Sequence, residues 1–104
     1  MSSLQSVIEL AWEGRSDLTA LNAPEVREAV EQVLADLDAG RVRVAERQAV
    51  GQWTVHQWVK KAVLLSFRLN DNRAMRAGEL TFFDKVPTKF GGMDDEALRA
   101  TGVR

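Results

Sequence analysis

The chain has 104 residues, enough for one small domain with a single core, and folding at this size removes about two thirds of the surface of the unfolded chain. Fourteen basic against fifteen acidic residues give a net charge of −1, so neither nucleic acid nor an anionic membrane is predicted as a partner. The absence of cysteine excludes disulfides and thiolate chemistry. With no long apolar run and no targeting pattern at the amino terminus, the composition predicts a cytoplasmic protein.

Two amphipathic helices are predicted in the first part of the chain. The first, from about Ser3 to Glu13, carries its apolar residues on one stripe. These residues are Leu4, Val7, Ile8, Ala11 and Trp12. Asn22, Pro24 and Glu25 then form a capping signature, in which the Asn22 amide oxygen accepts a backbone N–H of a second helix. That helix is predicted to end before Gly40, with an apolar face of Val26, Val30, Val33, Leu34 and Leu37.

A hairpin and a third helix are predicted next. From Val42 to Val55 the apolar period falls to two, which predicts a short β-hairpin. An isolated hairpin is marginally stable in water, so it is expected to pack on the helices through Trp53. The third helix, about Val55 to Leu69, has more apolar positions than one stripe needs and is predicted to be central to the core. Asn70–Asn72 should end it, because short polar side chains compete with helical hydrogen bonds and tolerate left-handed backbone angles.

The pattern weakens after Arg73. The segment up to Gly92 is predicted to be extended and irregular, with four apolar anchors: Phe82, Phe83, Val86 and Phe90. Asp94 is predicted to cap a last helix, Asp95 to Ala100, which Gly102 ends. The predicted fold class is therefore mainly α, a small domain over residues 1–104 with three to four helices and one short β-hairpin.

Few residues are candidates for chemistry. His56, the only histidine, is a candidate acid or base because histidine is the side-chain type suited to proton transfer near neutral pH. Its position at the start of the third helix favours a hydrogen bond or a cap instead, and no nucleophile lies at a spacing that guarantees contact with it. No metal site is predicted, because one histidine without cysteine leaves only carboxylates as ligands.

The third helix also carries a basic patch, Lys60, Lys61 and Arg68, which is either an anion site or, more commonly for such runs, a solvated face. Lys61 and Arg68 share a side of the helix, whereas Lys60 points about 100° away, so the patch is split. Trp12, Trp53 and Trp58 can be interpreted as a ligand cage, but three tryptophans in so small a domain are more often the core itself.

A family resemblance extends along the whole chain. The segments that carry it are Leu4–Glu13, Arg27–Val30, Arg43–Glu46, Trp53–Asn72 and Phe83–Pro87, apparently without a gap. In these segments the chain resembles the N-terminal domain of bacterial tetrahydrodipicolinate N-succinyltransferases. The resemblance implies that the family's left-handed parallel β-helix of hexapeptide repeats, which performs acyl transfer, is absent here and would begin just after Arg104.

The resemblance also implies a function. It implies that the chain is part of an acyltransferase of lysine and diaminopimelate biosynthesis. Such an enzyme moves the succinyl group of succinyl-coenzyme A onto tetrahydrodipicolinate and acts as a homotrimer. An arginine at this junction binds a substrate carboxylate in the family, and the Gly102-Val103-Arg104 match assigns that role to Arg104. The family's catalytic acid and coenzyme A groove lie on the β-helix. No catalytic residue, bound cofactor or metal is therefore assigned to this chain.

The alternative function is a non-catalytic interaction module that binds a protein partner through the segment Phe82–Phe90. The gene sequence after Arg104 distinguishes the two: hexapeptide repeats support the enzyme, and a stop codon supports the module.

Overall fold

The computed structural model describes residues 3–104, and in this range it contains five helices and two antiparallel hairpins. The elements are α1 (Ser3–Glu13), α2 (Leu18–Leu21), α3 (Pro24–Asp38), β1 (Ala45–Ala49), β2 (Gln52–Val55), α4 (Gln57–Leu69), β3 (Arg73–Ala77), β4 (Leu80–Asp84) and α5 (Asp95–Thr101). They divide into two compact units, the first ending at Asp71 and the second running from Asn72 to Arg104. The mainly α fold class is confirmed. Residues 1–2, part of the amino terminus searched for a targeting pattern, lie outside the described residues.

The first unit is built on α1, α3 and α4, which pack pairwise on one another. The predicted apolar faces of α1 and α3 are confirmed, as is the place of α4 in the core, although Phe67 of α4 is exposed. The buried core consists of Ile8, Leu21, Ala29, Val30, Val33, Val59, Ala62 and Leu65, with Trp12 and Trp58 among the half-buried side chains packed against it. Ser66, a buried polar residue of α4, donates its hydroxyl to the Val63 carbonyl at 2.6 Å, so its burial leaves no unpaired donor.

The start of α3 differs from the prediction. Asn22 does not cap this helix: Ala23 occupies the N-cap position without a side-chain hydrogen bond. The extra helix α2 is the physical reason, because Asn22 ends it and donates Nδ2 to the Leu18 carbonyl at 2.8 Å. Asp17 begins α2, accepting hydrogen bonds from the backbone N–H groups of Thr19 and Ala20.

The first hairpin is present, but its attachment was predicted wrongly. Trp53 is 63% exposed, so it does not anchor the hairpin to the helices. Val42 and Val44, in the segment before β1, pack against the core instead. The His56 backbone N–H donates to the Val44 carbonyl at 2.7 Å, which ties this segment to the start of α4.

Helix α4 ends at Leu69, as predicted, but by another device. Asn70 is extended, with φ −127° and ψ 129°, rather than left-handed, and its Nδ2 donates to the Ser66 carbonyl at 2.9 Å. Arg27 of α3 also closes this end, because its Nη2 donates to the Leu69 carbonyl at 3.2 Å and to Asn22 Oδ1 at 2.9 Å. One guanidinium thus joins the ends of α2 and α4 to α3.

The second unit corrects the prediction of an irregular segment after Arg73. Strands β3 and β4 pair in register from Arg73↔Asp84 to Ala77↔Leu80. The turn between them needs Gly78, whose φ of +63° lies in the left-handed region that other residues disfavour. Helix α5 follows, with Asp94 as its cap and the left-handed Gly102 at its end, as predicted.

No helix within residues 3–104 is long and apolar enough to cross a bilayer.

The turn after α3 is organised by Asp36, and it gives a testable pH dependence. Asp36 Oδ1 accepts hydrogen bonds from Arg41 Nε and Gln32 Nε2, each at 2.9 Å. The hydrogen bond from Arg41, and to a lesser extent that from Gln32, stabilises the charged carboxylate and so holds the pKa of Asp36 below its ordinary value. A depressed folded-state pKa contributes stability above the unfolded pKa, and this contribution is lost as pH falls through the folded value.

We therefore expect Asp36→Asn to be less stable than the parent at neutral pH, with the difference shrinking as pH falls through the carboxyl range. Urea unfolding at a series of pH values measures it. Arg41→Gln removes the charged partner of Asp36, so in the Arg41→Gln protein the further change Asp36→Asn should cost less stability at neutral pH. Parallel pH profiles for parent and Asp36→Asn would show that the contact does not stabilise the fold.

Candidate functional site

Arg104, the one site residue predicted, lies just beyond α5 in the second unit. The turn that leads to it is hydrogen-bonded: the Thr101 hydroxyl donates to the Leu98 carbonyl at 2.6 Å and accepts from the Val103 backbone N–H at 3.2 Å. The Arg104 side chain is exposed, and its only side-chain hydrogen bond within residues 3–104 is Nη1 to the Val103 carbonyl at 3.3 Å. Most of the planar donor fork therefore remains free to bind a carboxylate.

His56 lies in the first unit, at the N-cap position of α4, without a side-chain capping hydrogen bond. Its Nε2 is 3.4 Å from Glu46 Oε1 on β1, so the predicted polar contact is made by a carboxylate rather than by a cap. Both side chains line a pocket of about 310 Å³ together with Arg43 and Trp58. A histidine and a carboxylate can exchange a proton, but the lining residues include no serine, threonine or cysteine to act as a nucleophile.

The basic patch of α4 is divided by its contacts. Lys61 Nζ donates to Glu9 Oε2 of α1 at 2.7 Å, and both side chains are partly buried. Lys60 and Arg68 are exposed and make no ion pair with a residue that the structure describes. Lys61 therefore joins two helices, and the patch is not one anion site.

The three tryptophans have different surroundings. Trp12 and Trp58 are half-buried against the core, as the core interpretation predicted, whereas Trp53 is not part of it. Trp12 carries the Arg15 guanidinium carbon 4.1 Å from its ring centroid, and Arg15 Nη1 donates to its carbonyl at 2.8 Å. The three tryptophans lie on three different elements, α1, β2 and α4, and Trp53 and Trp58 line different pockets.

An apolar pocket of about 200 Å³ was missed by the sequence analysis. It lies among α1, α2 and α3 and is lined mainly by Val7, Leu10, Ala11, Leu21 and Val26, with Glu25 as its charged residue. The pocket depends on α2, which sequence periodicity does not reveal because a four-residue helix shows no repeat. Asp17, an acidic residue one position before Leu18, was the available signal for this helix.

Comparison with known protein families identifies the family of this chain. A family model described as tetrahydrodipicolinate N-succinyltransferase N-terminal matches residues 3–69. The chain belongs to this family. The predicted resemblance is confirmed.

Relatives of the chain are named after the same enzyme. The 2,3,4,5-tetrahydropyridine-2,6-dicarboxylate N-succinyltransferase of Leptothrix cholodnii is 74% identical over 104 residues, covering 99% of this chain and 38% of that enzyme. The enzymes of the same name from Albidiferax ferrireducens and Acinetobacter baylyi are 64% and 52% identical to this chain. The chain covers 37% of the first enzyme and 38% of the second. The chain thus spans well under half the length of these curated relatives.

The end of the family match and the boundary between the two compact units fall at nearly the same place in this chain. The family model ends at Leu69, the last residue of α4, and the first compact unit ends at Asp71. Similarity to the Leptothrix enzyme continues through the second unit, which holds Arg104. Within residues 3–104 no group of three or more metal-ligating side chains comes together.

Proposed function

We propose that this chain is the N-terminal domain, residues 1–104, of a tetrahydrodipicolinate N-succinyltransferase. The full-length enzyme transfers the succinyl group of succinyl-coenzyme A to the amino group of ring-opened tetrahydrodipicolinate in lysine and diaminopimelate biosynthesis. The observation that carries the proposal is the 74% identity to the Leptothrix enzyme along 99% of the chain. Identity at this level across both compact units supports a shared role as well as a shared fold.

Arg104 contributes to the acceptor site in this proposal. The acceptor is a dicarboxylate, and a guanidinium binds a carboxylate through two parallel N–H donors. Two features of Arg104 agree with the role: it makes no ion pair with a carboxylate within residues 3–104, and it follows a turn held by the Thr101 hydroxyl. Its backbone is therefore oriented while its side chain stays free for a ligand.

Acyl transfer itself is assigned to the part of the enzyme beyond Arg104. In the described residues, the pair of titratable groups that comes closest to acid–base chemistry is His56 with Glu46, and no nucleophile lines their pocket. Succinyl-coenzyme A is a co-substrate of the full-length enzyme, and this domain binds no cofactor of its own. The proposal includes a cytoplasmic homotrimer, as the family resemblance implies.

The isolated 104-residue chain should be inactive. We expect no release of free coenzyme A from succinyl-coenzyme A above the uncatalysed rate when the dicarboxylate acceptor is present, because the resemblance assigns the catalytic acid and the coenzyme A groove to the part of the enzyme beyond Arg104. The full-length gene product, assayed in parallel, should turn over at about 1 s⁻¹ or faster, within the usual enzyme range.

Three outcomes contradict the proposal. Turnover by the short chain alone would place catalytic residues within residues 1–104. A full-length product without succinyltransferase activity, or a stop codon directly after Arg104, would favour the non-catalytic interaction module that binds through Phe82–Phe90.

A further inference from the structure

The second unit leaves its apolar side chains uncovered. No residue from 72 to 104 is buried. Its large exposed apolar side chains are Leu80 (64%), Phe82 (53%), Phe83 (72%), Val86 (51%), Phe90 (39%) and Val103 (47%). A two-stranded hairpin is at best marginally stable in water, and a unit shorter than about 40 residues seldom folds without external support. This unit therefore needs a surface to pack against.

The strand register concentrates the apolar side chains on one face of the second hairpin. Met75 pairs with Phe82, and Ala77 pairs with Leu80. Since side chains alternate along a strand, these four share one face, which we call the Leu80–Phe82 face. The pair Arg73↔Asp84 lies at its end. An apolar centre with a charged border is the composition of a protein contact surface.

The opposite face of the hairpin is different. It carries the pairs Ala74↔Phe83 and Arg76↔Thr81, and Arg76 Nη1 donates to Thr81 Oγ1 at 3.2 Å. Phe83 is thus a single large apolar side chain on a partly polar face. Isolated apolar side chains are ordinary on protein surfaces, whereas a contiguous apolar patch marks a binding surface. The two faces therefore have separate roles.

We propose that the Leu80–Phe82 face docks onto the part of the succinyltransferase beyond Arg104, in the same polypeptide. This inference rests on the proposed function. The Leptothrix relative is 38% covered by this chain, so most of such an enzyme lies outside it. A covalently attached surface has an effective concentration of about millimolar or more, which a separate, unlinked protein does not match at cellular concentrations. Docking would also position the unit that carries Arg104.

Cysteine labelling tests the proposal, because the chain contains no cysteine. Leu80→Cys places a thiol on the docking face, and Phe83→Cys, the matched control, places one on the opposite face. In the 104-residue chain both should react rapidly with a maleimide. In the full-length protein the Leu80→Cys thiol should react about tenfold or more slower, while the Phe83→Cys thiol changes by less than about twofold, with the labelled peptide located by mass spectrometry.

Equal labelling of the two variants in the full-length protein would overturn the proposal. Concentration-dependent protection of Leu80→Cys in the short chain would overturn it in favour of a second copy. Hydrogen exchange on the unmodified proteins decides the matter if a variant fails to fold: β3 and β4 amides should gain protection of about tenfold or more in the full-length protein. Succinyltransferase activity is assayed separately, so a docked but inactive protein refutes the proposed function alone, and an active protein with an unprotected Leu80→Cys thiol refutes the docking alone.

Discussion

Leu65→Ala should destabilise the first unit by about 2 to 5 kcal/mol. Leu65 lies on α4, is fully buried, and belongs to the core that α4 forms with α1 and α3. Removing its branched end loses apolar burial and leaves a cavity that the surrounding helices fill only in part. Domains of this size are stable by about 5 to 15 kcal/mol, so the loss is a large share of the total. Urea unfolding followed by helical circular dichroism measures it.

Leu64→Ala is the matched control, because it makes the same change at the neighbouring position of the same helix. Leu64 is 37% exposed, so its truncation removes less buried surface and should cost about 1 kcal/mol. Equal losses of unfolding free energy for the two variants would show that Leu65 is not more deeply buried than Leu64. An unchanged unfolding midpoint for Leu65→Ala would place Leu65 outside the core.

The long helices could be predicted because each contains its own evidence. An amphipathic helix must bury one stripe, and the stripe recurs along the sequence whatever the helix packs against. Ile8, Val30 and Val33 were placed on buried faces in this way, and all three are buried. Asp94 and Gly102 marked the ends of α5 for a similar reason, since the chemistry of a cap is local.

Elements that depend on partners elsewhere could not be predicted. Asn22 and Glu25 have the spacing of a capping box, but Asn22 is the C-cap of α2 and does not cap α3. The first hairpin rests on the core through Val42 and Val44, and no local feature ranks these above the larger Trp53. The second hairpin was missed because apolar residues on both faces of β4 hide the two-residue period.

The candidate site was predicted by resemblance alone. Arg104 has no neighbour in sequence that suggests a dicarboxylate, and the role proposed for it would depend on residues of the full-length enzyme outside this domain. Long-range contacts were likewise beyond sequence reasoning: the pairing of Lys61 with Glu9 turns a suspected anion-binding residue into a link between α1 and α4. Charge in a sequence shows which contacts are available, and only the fold decides which are made.

Arg104→Lys should weaken binding of the dicarboxylate acceptor in the full-length enzyme by about ten- to a hundredfold, with little change for succinyl-coenzyme A. Lysine keeps the positive charge but loses the planar fork, so a two-bond contact with a carboxylate becomes a single attraction. Charge-assisted hydrogen bonds are worth about 1.5 to 3 kcal/mol, which corresponds to that range of affinity. Steady-state kinetics with each substrate varied in turn measure the two Michaelis constants.

Arg99→Lys is the matched control, because Arg99 is an exposed arginine in the last turn of the same helix that leads to Arg104. It should leave both Michaelis constants within about twofold of the parent, as surface substitutions usually have small effects. A thermal melt of each variant separates binding from stability. If Arg104→Lys left the acceptor constant unchanged, or weakened both substrates equally while lowering the melting temperature, Arg104 would be a structural contact at the junction and not part of the acceptor site.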